Sequence, residues 1–210
     1  MKKTATFPKG ATSYRETAFG IIPRSKLLIL ELIGTRKGLE YLDKLVKRNK
    51  NTVITSSLIC KLHLVSFGWI FPNWAGKFRK IQVTYSDKEA PKYFQIPELI
   101  LNLCNDLKER LNNLPDSESE NYIIKVAGLA AWFQHRFVVI HPFQDYNGRI
   151  ARMLTILILL RLNLPPFEIQ AESRSDRKRY LSALQKADEG NYSHLENLLS
   201  QALNEAFKRF

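Results

Sequence analysis

The sequence predicts an all-α fold, mainly helical, with one short β-hairpin. Segment after segment repeats apolar residues at helical spacing, and Ser, Thr, Gly and Pro punctuate these segments where helices start and stop. Only "KIQVTYS", residues 80–86, alternates polar and apolar residues and is rich in strand formers. At 210 residues the chain is long enough for one domain with a sizeable core, and an apolar fraction of 45% is ordinary for a globular protein.

Taken in order, residues 1–23 carry Pro8, Gly10, Gly20 and Pro23 and read as a partly irregular leader. "SKLLILELIG" begins with Ser25 as an N-cap and stops at Gly34; "KGLEYLDKLVKRN" then places Leu39, Leu42, Leu45 and Val46 on one helical face. "TSSLICKLHLVSFGWIF" is a further helix capped by Thr55 or Ser56. After the hairpin, "PELILNLCNDLKERLNNL" opens on Pro97 and closes before Pro115. "SESENYIIKVAGLAAWFQHRFVVI" has an acidic first turn and a buried-looking stretch through Ile124, Gly128, Ala131 and Phe133. "GRIARMLTILILLRLN" is apolar nearly all round and should be central. Two closing helices, "DRKRYLSALQKADEG" and "YSHLENLLSQALNEAFKRF", part at Gly190.

The net charge of +12 is located: residues 1–80 hold 16 Lys and Arg against 4 Asp and Glu, and the remainder is balanced. Such a bias attracts an acidic protein, nucleic acid or an anionic membrane surface, or forms a well-solvated face. No basic tract interleaved with aromatics marks a nucleic-acid groove. The longest apolar run, Met153 to Leu160, is too short to span a bilayer, and two lysines at the start have no apolar segment behind them. Cys60 and Cys104 make neither a disulfide framework nor a metal spacing, so a cytosolic setting is expected, the chain's own or a host's.

The chemistry concentrates in "IHPFQDYNGRIARM", residues 140–153. A loop running into a helix N-terminus is an anion site, because the first N–H groups lack intrahelical partners and the dipole adds positive potential. Arg149 and Arg152 stand at i and i+3, so both guanidinium groups reach one side and suit a di- or triphosphate. Beside phosphates Asp145 would repel unless it holds a divalent cation such as Mg²⁺. His141 has an ordinary pKa of about 6.5, suited to taking a proton from a hydroxyl. Singly, each has a plainer reading: a turn histidine, an Asp N-cap, solvated arginines and a tight Asn-Gly turn. Together they leave two arginines opening a helix otherwise built for burial, which those readings explain poorly. Phe143 reads as an apolar anchor pinning the loop to the core.

"HPFQDYNGRIAR" resembles the signature of Fic-domain proteins, H-x-F-x-[D/E]-G-N-G-R-x-x-R. His141, Phe143, Asp145, Asn147, Gly148, Arg149 and Arg152 match its specified positions. "NWAGKFR", residues 73–79, is similar to the segment leading into that family's flap hairpin, and "RYLSALQKADEGNYSHLENLL" to its closing helices. The resemblance covers roughly residues 56–205, leaving 1–55 as a basic helical extension and 56–210 as the Fic core.

It implies a mainly α-helical Fic fold and transfer of a nucleoside monophosphate, usually AMP from ATP, to a hydroxyl of a target protein. His141 would be the general base and Asp145 would hold Mg²⁺. The backbone around Asn147 and Gly148 would form the anion hole, with Arg149 and Arg152 on the phosphates. The flap, including Phe78, Arg79, Lys80, Ile81, Gln82 and Val83, would dock the target protein by main-chain pairing. Alternatives are phosphate-group transfer of the Doc type, or a catalytically impaired nucleotide- or protein-binding module.

Two features depart from the pattern. Tyr146 stands where the family has its first Gly; a left-handed residue 146 would be strained by about 1–2 kcal/mol, and otherwise its ring would line the phosphate pocket. Lower activity, a different transferred group and self-modification all remain open for Tyr146. The family's inhibitory pattern, [S/T]-x-x-x-E-[G/N], is not met at Glu120 or Glu189, since Asp116 and Gln185 hold its first place. The chain is therefore expected to lack a built-in inhibitory helix, being unrestrained or held by a separate inhibitory partner.

Overall fold

A computed structural model describes residues 14–85, 88–167 and 173–209. Seven helices dominate: α1 (Arg24–Arg48), α2 (Ser56–Phe67), α3 (Ile96–Asn112), α4 (Tyr122–Ile140), α5 (Asn147–Arg161), α6 (Arg174–Asp188) and α7 (Ser193–Phe207). Two antiparallel hairpins accompany them, β1 (Tyr14–Thr17) with β2 (Gly20–Pro23) and β3 (Thr84–Tyr85) with β4 (Lys88–Glu89). The mainly helical expectation holds, with one hairpin more than the sequence led us to expect.

That extra hairpin lies in the second half of the leader; residues 1–13, with Pro8 and Gly10, fall outside the described residues. Gly20 takes φ +85, Thr17 Oγ1 donates to the Gly20 carbonyl, and Ala18 N donates to Ile70 O, fastening the turn to the segment after α2. The turn is local, but the bond that fixes it is to a residue far along the chain.

α1 is one helix of 25 residues where the sequence suggested a break at Gly34. A Cβ at Gly34 would lie 2.4 Å from Ser66 O, and one at Gly38 would lie 2.3 Å from Ser66 Oγ and 2.7 Å from Met153 Sδ. These glycines therefore admit α2 and α5 against α1; they do not end it. Thr55 is the N-cap of α2, its side chain accepting from Leu58 N. The acids before α4 lie outside its first turn, because the helix starts only at Tyr122.

One apolar cluster joins α1, α2, α3, α4 and α5, and a second joins α4, α5, α6 and α7. α5 belongs to both; Ile150, Leu154, Leu157 and Ile158 are fully buried, as its apolar circumference requires. α4 is long and apolar enough to cross a bilayer by composition alone, yet 56% of that window is buried, in contact with α3, α5, α6 and α7. It is placed as a core helix. The consequence for function is mechanical: the loop between α4 and α5 is suspended between two helices that cannot move independently.

Candidate active site

The loop of residues 141–146 is built from an unusual backbone. His141 ends α4 at φ +50 and Tyr146 opens α5 at φ +64, so two non-glycine residues take the left-handed region. Asn147 closes the loop on itself: its Oδ1 accepts from Phe143 N and its Nδ2 donates to Phe143 O, both at 2.9 Å. Phe143 is fully buried and stacks on His63 with ring centroids 3.9 Å apart, as an anchor should. With Ile150 N donating to Tyr146 O as the first turn of α5, the N–H groups of residues 147–149 precede any intrahelical acceptor. Those donors, Gly148 among them, face the loop side of the helix.

His141, Asp145, Gly148, Arg149 and Arg152 line one cavity of about 740 Å³. His141 Nδ1 lies 3.0 Å from Val138 O, and because a carbonyl only accepts, that nitrogen carries the proton and Nε2 is left as the basic one. Burial, with a smaller push from Arg79, lowers its pKa below the usual imidazole value, so the ring is neutral at neutral pH. Asp145 Oδ1 accepts from Tyr146 N, and its Oδ2 is 3.5 Å from Arg15 of the first hairpin. Among the described residues no three His, Cys, Asp or Glu side chains gather into a metal cage. This half-exposed carboxylate, beside Arg15, suits a cation completed by substrate oxygens, the usual habit of Mg²⁺.

The flap residues divide by role. Phe78, half-buried, packs on Phe143, and Arg79 is 4% exposed, so these two are turned towards the core. Arg79 Nε donates to His141 O, Nη1 to Ile81 O and Nη2 to Pro91 O, clamping the base of the hairpin to the loop after α4. Lys80, Ile81 and Gln82 are exposed and Val83 is half-buried. The strands themselves start later than "KIQVTYS" suggested, at Thr84, and below them Gln82 Nε2 donates to Ala90 O and Ala90 N to Val83 O, holding the two arms together. Ser86 of that stretch lies outside the described residues. Tyr85 stacks on His141, centroids 5.2 Å apart, and Lys88 pairs with Asp188 of α6 at 2.9 Å.

Tyr146 adopts the strained conformation; its ring is placed largely in the core, while the residue, with Asn147, still lines the cavity. It stacks on Phe67 at 4.1 Å and Trp74 at 6.1 Å, is 9% exposed, and its hydroxyl donates to Glu31 at 2.8 Å. Burial, then the nearby Glu31 carboxylate, raises its pKa, making the phenol a poor nucleophile.

Two residues escaped the sequence reading. Glu31, fully buried on α1, pairs with Arg149 at 2.9 Å. A signal existed: Leu27, Glu31, Gly34, Gly38 and Leu42 share the buried face of α1, so a charge lies on an apolar stripe. His63, on α2, accepts from Gly76 N through Nδ1 and therefore donates to Asp145 O through Nε2, at 2.8 and 3.2 Å. Gly76, at φ +78, is glycine because a Cβ would meet Leu64 Cβ at 2.6 Å.

Burial pushes the His63 pKa down to about 4. The unfolded chain binds that proton near 6.5, so between these values the unfolded state holds more protons and stability rises with pH. The contribution is complete above about 6.5 and is lost as pH falls towards about 4. Urea unfolding at pH 7 and pH 5 should show this loss, and a His63→Asn variant should show a smaller one.

Residues 53–159 match the Fic/DOC family. The chain is 31% identical to a protein adenylyltransferase Fic of Nematostella vectensis over 82% of its own length, and spans 38% of that longer relative. Fic-1 of C. elegans superposes with a TM-score of 0.65 at 27% identity, covering 85% of this chain and 49% of the other. BepC, a Bartonella tribocorum effector crystallised with AMPPNP, shares the fold at TM-score 0.64 and 18% identity, covering 92% and 93%.

Proposed function

The chain belongs to the Fic/DOC family, and from that premise we propose that it is a protein adenylyltransferase, transferring AMP from ATP to a side-chain hydroxyl of a target protein. The observation that carries this reading is the pairing of a neutral His141, its Nε2 unprotonated, with a helix N-terminus bearing Arg149 and Arg152 in one cavity. The target oxygen attacks the α-phosphorus, a new P–O bond forms, the bond to the β-phosphate oxygen breaks and pyrophosphate leaves. The hydroxyl proton passes to His141 Nε2. The free N–H groups of residues 147–149 and the two arginines hold the phosphates and bear charge that shifts onto the leaving group.

Asp145 would hold Mg²⁺, which supplies charge neutralisation on the phosphates. Arg79 keeps the flap fixed to the loop that carries the base. The exposed stretch Lys80–Gln82 would pair with the main chain of the target and bring its hydroxyl to His141. The longer relatives bearing the adenylyltransferase name, and the AMPPNP-bound BepC, support this assignment. Glu120 and Glu189 are both exposed, and Glu189 pairs with Lys186 at 3.4 Å.

ATP labelled at the α- or the γ-phosphate, offered with Mg²⁺ and a cell lysate, tests the reading. Label from α alone, absent in His141→Ala, is the expected result. Label from γ alone would replace it with phosphate transfer of the Doc type, and neither label with ATP still bound would leave a binding module.

A further inference from the structure

Three side chains, one from the start of α1 and two from the start of α5, meet at one buried carboxylate. Glu31 is wholly inaccessible to water, a setting in which a carboxylate is tolerated only when its oxygens are taken up by donors. Its Oε2 accepts from Arg149 Nη2, and its Oε1 accepts from Tyr146 OH and Arg24 Nη1. Tyr146 and Arg149 are the residue opening α5 and the third residue of its first turn. One carboxylate on α1 therefore grips the N-terminus of α5 at two points three residues apart.

That grip determines how the arginine is offered. With Nη2 tied to Glu31, the planar guanidinium loses its rotation, while Nη1 is left without a hydrogen-bond partner although it is shielded from water. An arginine that lines the cavity with one edge of its guanidinium tied down meets the phosphates as a fixed group rather than a mobile one. Tyr146 contributes what a glycine could not, since its ring is stacked on Phe67 and its hydroxyl completes the carboxylate's coordination.

We propose that Glu31 is a positioning residue for phosphate transfer, acting through Arg149, and that Tyr146 is its partner in this task. The proposal rests on the adenylyl-transfer reading for its kinetic consequences, and on geometry alone for the immobilised guanidinium. Glu31 sets the orientation of Arg149 and leaves the affinity for ATP largely to the remaining donors.

The test uses the full chain with Glu31→Gln, Tyr146→Phe and the double substitution, rates being referred to the folded fraction found by circular dichroism. For Glu31→Gln, kcat should fall by about tenfold while the ATP dissociation constant moves by less than about threefold. Tyr146→Phe, which keeps the ring, should lower kcat by about threefold. Because both act through one carboxylate, the double variant should be no slower than Glu31→Gln alone. Arginine-selective ¹⁵N NMR, with Arg149 assigned by Arg149→Lys, should show hindered guanidinium rotation that Glu31→Gln releases. Unchanged kcat per folded molecule, faster transfer in Glu31→Gln, multiplying losses, or guanidinium rotation indifferent to Glu31 would each overturn the proposal. If the parent protein transfers no AMP, the functional reading fails by itself, and the NMR comparison still decides whether Glu31 holds Arg149.

Discussion

Replacing His141 with alanine is expected to slow AMP transfer by about 10²–10⁴-fold, the range for losing a positioned general base, with ATP binding retained. The phosphate donors lie on α5, whereas His141 ends α4, so removing the imidazole leaves the anion site standing. Its fixed Nδ1 bond to Val138 O means that only Nε2 is available as the base. Alanine also removes the ring's bond to Val138 O and its stack on Tyr85, so rates are referred to the folded fraction. The pH dependence carries the same signature: burial lowers the imidazole pKa, so the acid limb of kcat/KM should lie below about 6.5 and vanish in the alanine variant. A residual activity within about threefold of the parent protein would remove His141 from the role of base.

Tyr146→Gly restores the residue typical of the family and is nevertheless expected to destabilise this chain. Glycine relieves left-handed strain worth about 1–2 kcal/mol. Against that, deleting a buried aromatic ring costs about 3–5 kcal/mol, here the ring stacked on Phe67 and Trp74. The loss also strips a donor from the buried Glu31 carboxylate. The balance is a net loss of about 2 kcal/mol or more, or about 4–8 °C in Tm for a chain of this length. Thermal unfolding of the two proteins at equal concentration decides it; a variant as stable as the parent would show that the aromatic stack contributes little. The conservative Tyr146→Phe should retain most of this stability, which separates the ring from the hydroxyl.

Much of the site was legible because it is contiguous. His141, Asp145, Asn147, Gly148, Arg149 and Arg152 fall within twelve residues, and the i, i+3 spacing of the arginines is a property of any helix. Glu31 and His63 were not legible, since each reaches the loop from a different helix more than 80 residues away in sequence. The flap set mixed two kinds of residue for a similar reason. Nothing in "FRKIQV" distinguishes Arg79, whose three acceptors come from His141, Ile81 and Pro91, from its exposed neighbour Lys80. Gly34 misled in the opposite direction: a stop signal by local rules, it lies inside α1 and is glycine because α2 passes too close for a side chain.

By itself, then, the sequence determined the helical class, the central place of α5 and the grouping of the loop residues at the start of that helix, all of which follow from periodicity and short-range spacing. Tertiary structure alone decided where the Tyr146 ring goes and what holds Arg149. A left-handed tyrosine is acceptable only if distant groups repay its strain, and Phe67, Trp74 and Glu31 are brought to it by the packing of α1 and α2, which no local pattern encodes.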